Sequence, residues 1–288
     1  TNNASKFLFD IFNFTINKVC YKILFVKFKY KRYIFDVGAN DGADGLALAL
    51  NNKDFFIHAF EANPQLIKTI KQLKKKLENR KGVLINNYQI HNYAVSNKNK
   101  IALFNISNND RVSSLNTLSK DIKKSWPGYY NLFKVVKKIK VKVITLYDFM
   151  NKHKIKHINF LHIDTQGHDL NVLKGLKKNI NNVFQGEMES SISKQRSAYQ
   201  KNHTVKDVKK FFQKTNLKIK KIVKIEHQSK KGILKNEADI YFYNKKDSVK
   251  FKINKKYNKR YFARVLNENT YYKDDIIDFF IKTYNKIF

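Results

Sequence analysis

The segment YIFDVGANDGADG, which spans Tyr33–Gly45, decides how the rest of this sequence is interpreted. A short apolar run reaches Asp36, three glycines and an asparagine follow, and the chain then takes a helix-like pattern. Glycine at such a turn allows backbone conformations closed to other residues and a close approach to a ligand. The segment therefore predicts a strand, a tight turn beside a ligand, and a helix.

Strand-like and helix-like runs alternate from residue 33 onward, which predicts an α/β fold with a mostly parallel sheet. The region 100–143 is less regular, and we interpret it as an edge hairpin, KIALFNI with KKIKVKVIT, around a polar loop. Strands are expected at Tyr33–Val37, in DFFIHAFE, near Val83–Ile85 or Ile90–Val95, at Ile158–Asp164, in NVFQGEMES, and near Leu217–Ile225 and Ala238–Tyr243. Helices are expected at about Asp41–Leu50, from Pro64, over Leu170–Ile180, from TVKD at Thr204–Asp207, and near Asp274–Phe288.

The chain has only two prolines and no proline-rich linker, so one main domain is expected over residues 31–245. Residues 1–30 are predicted to be an amphipathic helical segment, and residues 246–288 an extension that ends in a helix. The N-terminal segment either covers the core or contacts a membrane surface, because charges interrupt it too often for a membrane span. The single cysteine, Cys20, fits a reducing compartment, and we expect a cytoplasmic protein.

The formal net charge of +35 invites a nucleic-acid interpretation. Only six of the 58 basic residues are arginines, although bidentate phosphate recognition favours arginine. Lysine, asparagine, isoleucine, tyrosine and phenylalanine are the residues that an AT-rich genome encodes most readily. We therefore assign most of the charge to codon bias and disfavour nucleic acid. An anionic partner such as RNA, an acidic glycan or a membrane face stays open.

Three acids fall at the ends of predicted strands: Asp36, Glu61 and Asp164. In open α/β sheets, ligands bind outside the carboxyl ends of the strands. Glu61 follows Asp36 by 25 residues, where a strand-end acid can accept the hydroxyls of a ribose. Gly38 would admit a ligand, and Asn40 would take an unusual backbone conformation or bond to it. The pattern indicates a nucleoside-type ligand, with a plain tight turn of a flavodoxin-like fold as the alternative; it is neither G-x-G-x-x-G nor a P-loop.

Seven motifs occur in a characteristic order over about residues 30–245. They are FDVGANDG, FEANP, NYAVSN, VSSL, VKVITLYDFM, FLHIDTQGHDLNVLKGL and EADIYFYN. In this order the sequence resembles the FkbM family of S-adenosylmethionine-dependent methyltransferases. The resemblance implies a class I methyltransferase sheet, Rossmann-like, with seven mostly parallel strands, helices on both faces and the last strand antiparallel.

The resemblance also implies an S-adenosylmethionine site and assigns residues to it. Asp36, Gly38, Asn40 and Gly42 would line the methionine part, and Glu61 would hold the ribose with Asn63 beside it. The segment with Asn92 and Ala94 would border the adenine, and Asp164 would face both cofactor and acceptor.

The chain departs from the family pattern after Asp164. Many members have D-x-E-G, whereas this sequence reads Asp164-Thr165-Gln166-Gly167-His168. Gln166 removes a charge near the reacting centre, and His168 adds a titratable group. The base that a hydroxyl acceptor needs is expected among Asp164, His168 and Glu187. Each has a structural alternative, since Asp164 can cap a helix, His168 can be solvated and Glu187 can pair with a lysine.

A metal site is disfavoured because no tight H-x-x-x-H or C-x-x-C spacing occurs. Mg²⁺ would need oxygen and nitrogen ligands from His162, Asp164, His168, Asp169, Glu187 and Glu189. His162 lies in the middle of a strand and is interpreted as a core residue.

The resemblance predicts an O-methyltransferase that acts on a hydroxyl of a sugar, a glycan or a small glycosylated metabolite. The alternatives are an RNA methyltransferase, favoured by the charge, and a non-catalytic binding or scaffold protein. The irregular segment from Asn105 to Lys138 is expected to form part of the acceptor wall; it contains Ser113, Ser114, Trp126 and Tyr129.

Overall fold

The computed structural model describes residues 32–229 and 232–246. The predicted N-terminal helix and the predicted helix near Asp274–Phe288 lie outside these residues. The strands are β1 Tyr33–Val37, β2 Phe56–Phe60, β3 Tyr88–His91, β4 Ala94–Val95, β5 Lys100–Ser107, β6 Val135–Ile144, β7 Ile158–Ile163, β8 Val183–Ser191, β9 Leu217–Ser229 and β10 Gly232–Asn244. The helices are α1 Ala43–Asn51, α2 Pro64–Lys81, α3 Ile122–Ser125, α4 Tyr130–Phe133, α5 Leu146–Lys152, α6 Asp169–Lys174 and α7 Val205–Phe212.

Seven strands form one sheet in the order β3-β2-β1-β7-β8-β10-β9. The neighbours β1, β2, β3, β7 and β8 run parallel, and β10 runs antiparallel to both β8 and β9. The predicted α/β fold, with a mostly parallel seven-stranded sheet and an antiparallel last strand, is confirmed. This topology brings the carboxyl ends of β1, β2, β7 and β8 to one edge of the sheet.

Helices cover both faces of the sheet, as predicted. On one face, α1 and α2 pack Leu46, Ile70 and Leu73 against Ile34 and Ile57. On the other face, α5, α6 and α7 bury their apolar sides against Phe35 and Leu161; these helix residues include Phe149, Leu170, Leu173, Val208 and Phe212. Because both faces are covered, the central strands are buried throughout, as parallel sheets require.

Helix α2 shows how the sequence sets an element's limits. The side chain of Asn63 accepts a hydrogen bond from the N–H of Gln65, and Pro64 occupies the first helical position. The helix ends at Gly82, which has a left-handed φ of 60°. The observed start of the helix agrees with the start that the sequence predicts at Pro64.

The predicted hairpin forms, but it lies outside the main sheet. Strand β5 pairs antiparallel with β6, and β4 adds to β6 in parallel, which makes a separate three-stranded sheet. Apolar side chains of this small sheet, Phe104, Val141 and Val143, pack with Ala62 and Ala94. The small sheet therefore stands beside the chain that follows β2 instead of extending an edge.

The predicted end of one helix and the predicted lengths of β9 and β10 were wrong. The helix after Asp164, expected to reach Ile180, ends at Lys174, and a 3₁₀ helix, Lys177–Asn182, follows. Gly175 stands at the junction, where a Cβ would lie 2.1 Å from the carbonyl oxygen of Ser96. Strands β9 and β10 are longer than expected, because their outer parts contain many exposed polar residues and lack a clear alternation of apolar and polar side chains. Within the described residues, no helix is both long and apolar enough to cross a membrane.

Candidate active site

A cleft of about 680 Å³ opens beyond the carboxyl ends of the central strands. Three walls come from strand ends: Asp36 to Asp44 after β1, Phe60 to Ala62 after β2, and Asp164 to Gln166 after β7. The opposite end is lined by the segment 109–133 and by residues of the β9–β10 hairpin. The position is the one that the three strand-end acids predict.

The glycine turn holds two strand ends in contact. Gly38 has a φ of 92°, and a Cβ there would lie 1.8 Å from the carbonyl oxygen of Asp164. The N–H groups of Gly38 and Ala39 both donate to the carbonyl of Phe60 at 3.0 Å. Only glycine fits at position 38, because any side chain would separate β1 from β7.

Asn40 and Gly42 complete the turn in different ways. Asn40 has a positive φ of 49° and lines the cleft, as the sequence predicts. Gly42 precedes α1, with a φ of 78°, and a Cβ there would lie 2.8 Å from Ile70 Cγ1. Gly42 does not belong to the cleft lining of the described chain, so its requirement for glycine comes from helix packing.

Glu61 is buried in the cleft with both carboxylate oxygens engaged. Oε1 accepts the N–H of Asn63 at 2.7 Å, and Oε2 accepts the N–H of Asn40 at 2.9 Å. Burial raises the pKa of Glu61 to about 7, although these backbone hydrogen bonds lower it. Each oxygen keeps a second acceptor site, so the side chain can receive two more donors.

Asn63 and Asn92 support the Glu61 segment from outside the lining. Besides capping α2, Asn63 places its Nδ2 3.3 Å from Asp110 Oδ1. Asn92 Nδ2 donates to the carbonyls of Glu61 and Ala62 at 2.9 and 3.1 Å. Neither asparagine is part of the cleft lining in the described residues, whereas Ala94 is.

His162, which the sequence analysis interprets as a core residue, lies in the cleft lining beside Asp36. Its Nδ1 lies 2.8 Å from Asp36 Oδ1, and its Nε2 lies 3.8 Å from Glu187 Oε1. Burial lowers the pKa of His162, but the Asp36 hydrogen bond and the charges of Asp36, Glu187 and Asp164 outweigh it and raise that pKa to about 9. The available signal was register: β1 and β7 are parallel neighbours, and His162 stands directly beside Asp36.

Gln166, which stands at the position of the glutamate in the D-x-E-G pattern, contacts Asp164. Its Nε2 donates to Asp164 Oδ1 at 2.7 Å, and its Oε1 lies 3.2 Å from the hydroxyl of Tyr199. A carboxylate at this position could not donate to Asp164, whereas an amide can. Gln166 therefore fixes the orientation of Asp164 at the mouth of the cleft.

His168 is turned away from the cleft. Its Nε2 lies 2.8 Å from Ser96 Oγ, and its Nδ1 lies 3.0 Å from Asn116 Oδ1. Burial, with smaller contributions from His203 and Lys100, lowers the pKa of His168 to about 4, so the ring is neutral at pH 7. In the described chain His168 is not among the lining residues, and its contacts give it a structural role.

Glu187 and Glu189 project from β8 to different degrees. Glu187 lines a side pocket of about 280 Å³ together with His162, whereas Glu189 lines both that pocket and the main cleft. Burial and the nearby Glu237 and Asp164 raise the pKa of Glu189 well above its ordinary value. The sequence interpretation considered Glu189 only as a metal ligand. Among the residues that the structure describes, no cluster of histidine, cysteine and carboxylate side chains could hold a metal ion.

The far end of the cleft is aromatic and is built from distant segments. Trp126 is buried with its Nε1 donating to the carbonyl of Arg196 at 3.1 Å, and Tyr129 and Phe133 lie beside it. His227 Nε2, on β9, lies 3.3 Å from Glu237 Oε2, on β10. Of the residues that the sequence proposes for an acceptor wall, Ser113, Trp126 and Tyr129 line the cleft, and Ser114 instead donates to the carbonyl of Gln166 at 2.7 Å.

The charge of the cleft is opposite to that of the chain. Within the part of the chain that the structure describes, eight acidic side chains and one Lys or Arg side chain, Arg111, line it, although the net charge of the protein is +35. The carboxylates are Asp36, Asp41, Asp44, Glu61, Asp110, Asp164, Glu189 and Glu237.

The strand order, the antiparallel last strand and a glycine turn at the mouth of the cleft define a class I methyltransferase fold. The chain belongs to the FkbM methyltransferase family, because the model described as Methyltransferase FkbM domain matches residues 36–229. The resemblance seen in the motifs is therefore confirmed.

Several solved structures are similar to the chain at low sequence identity. The FkbM methyltransferase from Methylobacillus flagellatus KT is 12% identical with a TM-score of 0.44, and the match covers 74% of this chain and 43% of that one. TrmK of M. capricolum, in complex with S-adenosyl-homocysteine, is 14% identical with a TM-score of 0.39, covering 80% and 70%. ChlM from Synechocystis PCC 6803, with bound SAM, is 9% identical with a TM-score of 0.38, covering 85% of each chain. The chain thus spans less than half the length of the Methylobacillus protein, and the comparison with curated proteins finds no match.

Proposed function

We propose that the protein binds S-adenosylmethionine and transfers its methyl group to a hydroxyl of a sugar, a glycan or a small glycosylated metabolite. One observation carries the cofactor half of this proposal: two buried carboxylates, Asp36 and Glu61, flank the Gly38 turn at the cleft. The cofactor is a cation with a ribose diol, which suits both acids. The single cysteine, Cys20, and a cytoplasmic cofactor favour the cytoplasm as the compartment.

The residues of the cleft fit this cofactor. Asp36 is 1% exposed, and its Oδ2 has no hydrogen-bond partner within the described residues. Glu61 keeps free acceptor sites for two ribose hydroxyls, and the absence of a Cβ at Gly38 lets the β1 and β7 ends that form the cleft lie in contact. Gly42, Asn63 and Asn92 would act indirectly, by holding the turn and the Glu61 segment in shape.

S-adenosylmethionine supplies a methyl group that is already activated by the sulfonium, so the protein mainly aligns the acceptor and excludes water. Asp164 is the base that we favour, because Gln166 holds it at the cleft and a carboxylate there can take the acceptor's proton. Glu187 and His168 are less suited, since the one lines the side pocket and the other has both ring nitrogens engaged.

The charge of the cleft supports a neutral polyhydroxyl acceptor over RNA. Phosphate recognition needs basic side chains, and among the described lining residues the acids outnumber Arg111 and His162 even with Glu189 protonated, so the cleft would repel a polyanion. Aromatic side chains such as Tyr129 suit the apolar faces of sugar rings. A protein without catalytic function is disfavoured, because Asp36, Gly38, Glu61 and Asp164 would have no reason to remain together.

Calorimetry with S-adenosylmethionine and S-adenosylhomocysteine tests the cofactor half. We expect binding of one molecule per chain, and a loss of at least about tenfold in affinity for Asp36→Asn. The cofactor proposal fails if the folded wild-type protein binds neither compound.

Transfer of a radiolabelled methyl group tests the acceptor half. A panel of neutral glycans, acidic glycans and RNA is offered at equal concentration, and we expect label on neutral glycans. Label on RNA, with transfer that falls steeply as salt rises, would overturn the proposed acceptor and leave the cofactor standing.

A further inference from the structure

We propose that His162 is a positioning residue for the cofactor: it keeps the buried Asp36 carboxylate charged and fixed in the floor of the cleft. This inference rests on the proposed function, since it assigns Asp36 to the cationic end of S-adenosylmethionine. The hydrogen bond of 2.8 Å between His162 Nδ1 and Asp36 Oδ1 carries it.

The Asp36 carboxylate depends on a partner because it is removed from solvent. Its residue is 1% exposed, and an isolated buried carboxylate takes up a proton instead of remaining charged. In the described part of the chain, His162 makes the one hydrogen bond to this carboxylate, and Oδ2 has no partner. A protonated Asp36 would attract a cationic ligand much less strongly.

The other groups near Asp36 cannot replace His162. Burial raises the pKa of both Glu61 and Tyr88, and the charge of Asp36 adds to each rise, so neither of these neighbours supplies a cation to Asp36. The hydroxyl of Tyr88 is buried without a partner in the described residues, so it does not supply the missing donor. A Cβ at Gly45 would lie 2.5 Å from Asp36 Oδ2, so α1 closes this side of the carboxylate with backbone.

The surroundings of His162 are acidic on every packed element, which favours its charged form. Its neighbours are Asp36 on β1, Asp44 on α1, Asp164 after β7, Glu187 and Glu189 on β8, and Asp239 and Tyr241 on β10. Its side chain is only 21% exposed, so solvent screens these charges weakly. The imidazolium is therefore the cation that balances Asp36, and replacing it should lower cofactor affinity without removing any lining carboxylate.

The test measures S-adenosylmethionine affinity by calorimetry from pH 6 to pH 10 for wild type, His162→Gln, His162→Lys and His157→Gln. His162→Gln should bind about tenfold more weakly at pH 7, whereas His162→Lys should keep most of the affinity because it restores a cation. The cofactor's own amino group also loses its charge at high pH, so all variants should bind more weakly there; wild-type affinity should fall more steeply than that of His162→Gln as the pH rises through about 9. His157→Gln is the matched control, because it makes the same substitution at a histidine that stacks on Phe184 outside the cleft lining of the described residues, and it should change affinity little.

A double-mutant cycle with Asp36→Asn separates positioning from a general structural effect. If His162 acts through Asp36, the double variant should bind no more weakly than Asp36→Asn alone. Additive losses, or a His162→Gln variant with wild-type affinity and pH profile, would overturn the inference. Failure of the proposed function looks different, since the wild-type protein would then not bind the cofactor at all.

Discussion

The two ends of the cleft are built in different ways. The end that we propose for the cofactor, here the cofactor end, comes from a short stretch of sequence, because Asp36, Gly38, Asn40, Glu61 and the cap Asn63 lie within 28 residues. The end that we propose for the acceptor, here the acceptor end, joins the segment 109–133, β8 and the β9–β10 hairpin, which are far apart in the chain. The first depends on backbone geometry that a motif can specify, and the second depends on packing between distant elements.

The largest effect is expected from a substitution that disturbs the backbone at the cofactor end. Gly38→Ala places a Cβ 1.8 Å from the Asp164 carbonyl at a φ of 92°. We expect about 3 kcal/mol or more of lost stability, measured by urea denaturation, and loss of cofactor affinity. Gly128→Ala at the acceptor end is the control: its φ is 87°, but a Cβ there would have no neighbour within 4 Å among the described residues, so only about 1 kcal/mol is expected. Equal losses for the two variants would contradict the steric account.

The second prediction concerns the pH dependence of cofactor affinity, which Glu61 at the cofactor end should control. Since the pKa of Glu61 is about 7, its carboxylate form is lost as the pH falls through 7, and ribose hydroxyls then lose an acceptor. Cofactor affinity measured by calorimetry should therefore rise by about tenfold between pH 6 and pH 8. Glu61→Gln should bind more weakly and show no such rise; a variant that keeps the wild-type profile would exclude Glu61 as its source.

A third change acts at the junction of the two ends. Gln166→Glu removes the amide that donates to Asp164 and sets a second acid at hydrogen-bond distance from it. We expect methyl transfer to fall by about tenfold while cofactor affinity stays near wild type. The rate is measured with the acceptor that the glycan panel identifies. Gln200→Glu, at an exposed glutamine, is the control, and an unchanged rate for Gln166→Glu would remove Gln166 from the positioning of Asp164.

The smallest effect concerns a residue that the resemblance assigned to the cofactor. Asn63→Ala should cost about 1 kcal/mol of stability, because the cap of α2 is lost, with cofactor affinity changed less than threefold. Asn63→Ser should restore most of the stability, since serine also caps helices and places no second carboxylate beside Asp110. Thermal unfolding measures stability, and calorimetry measures cofactor affinity. A large loss of affinity without loss of stability would mean that Asn63 contacts the cofactor directly.

Sequence prediction succeeded where one physical cause acts locally. The Tyr33–Val37 strand, the start of α2 at Pro64 and the capping box at Thr204 all follow from apolar spacing or turn chemistry. His162 was interpreted as a core residue, because a histidine in a strand has no local signature of its partner. Its contact with Asp36 arises only when β7 pairs with β1 and brings its Nδ1 within 2.8 Å of Asp36 Oδ1.

Gln166 and His168 show the same limit beside the reacting centre. Sequence showed that both depart from the family pattern, but it could not tell which of them reaches Asp164. The structure turns His168 toward Ser96 and Asn116 and leaves Gln166 on the carboxylate. This difference is set by the segment 113–116, which lies about 50 residues away and anchors the turn at the carbonyls of Gln166 and Gly167.

By itself, the sequence determined the α/β class and the glycine turn, because each depends on periodicity or on backbone constraints within a few residues, and its motifs indicated the methyltransferase family by their resemblance to it. Only the tertiary structure decided which acids face the cleft, which histidine is charged and how Asp164 is held. It also showed where the charges lie: in a chain with a net charge of +35, eight acidic side chains line the cleft within the described residues. Charge is summed along a sequence, but a ligand responds to the charges that folding places around it.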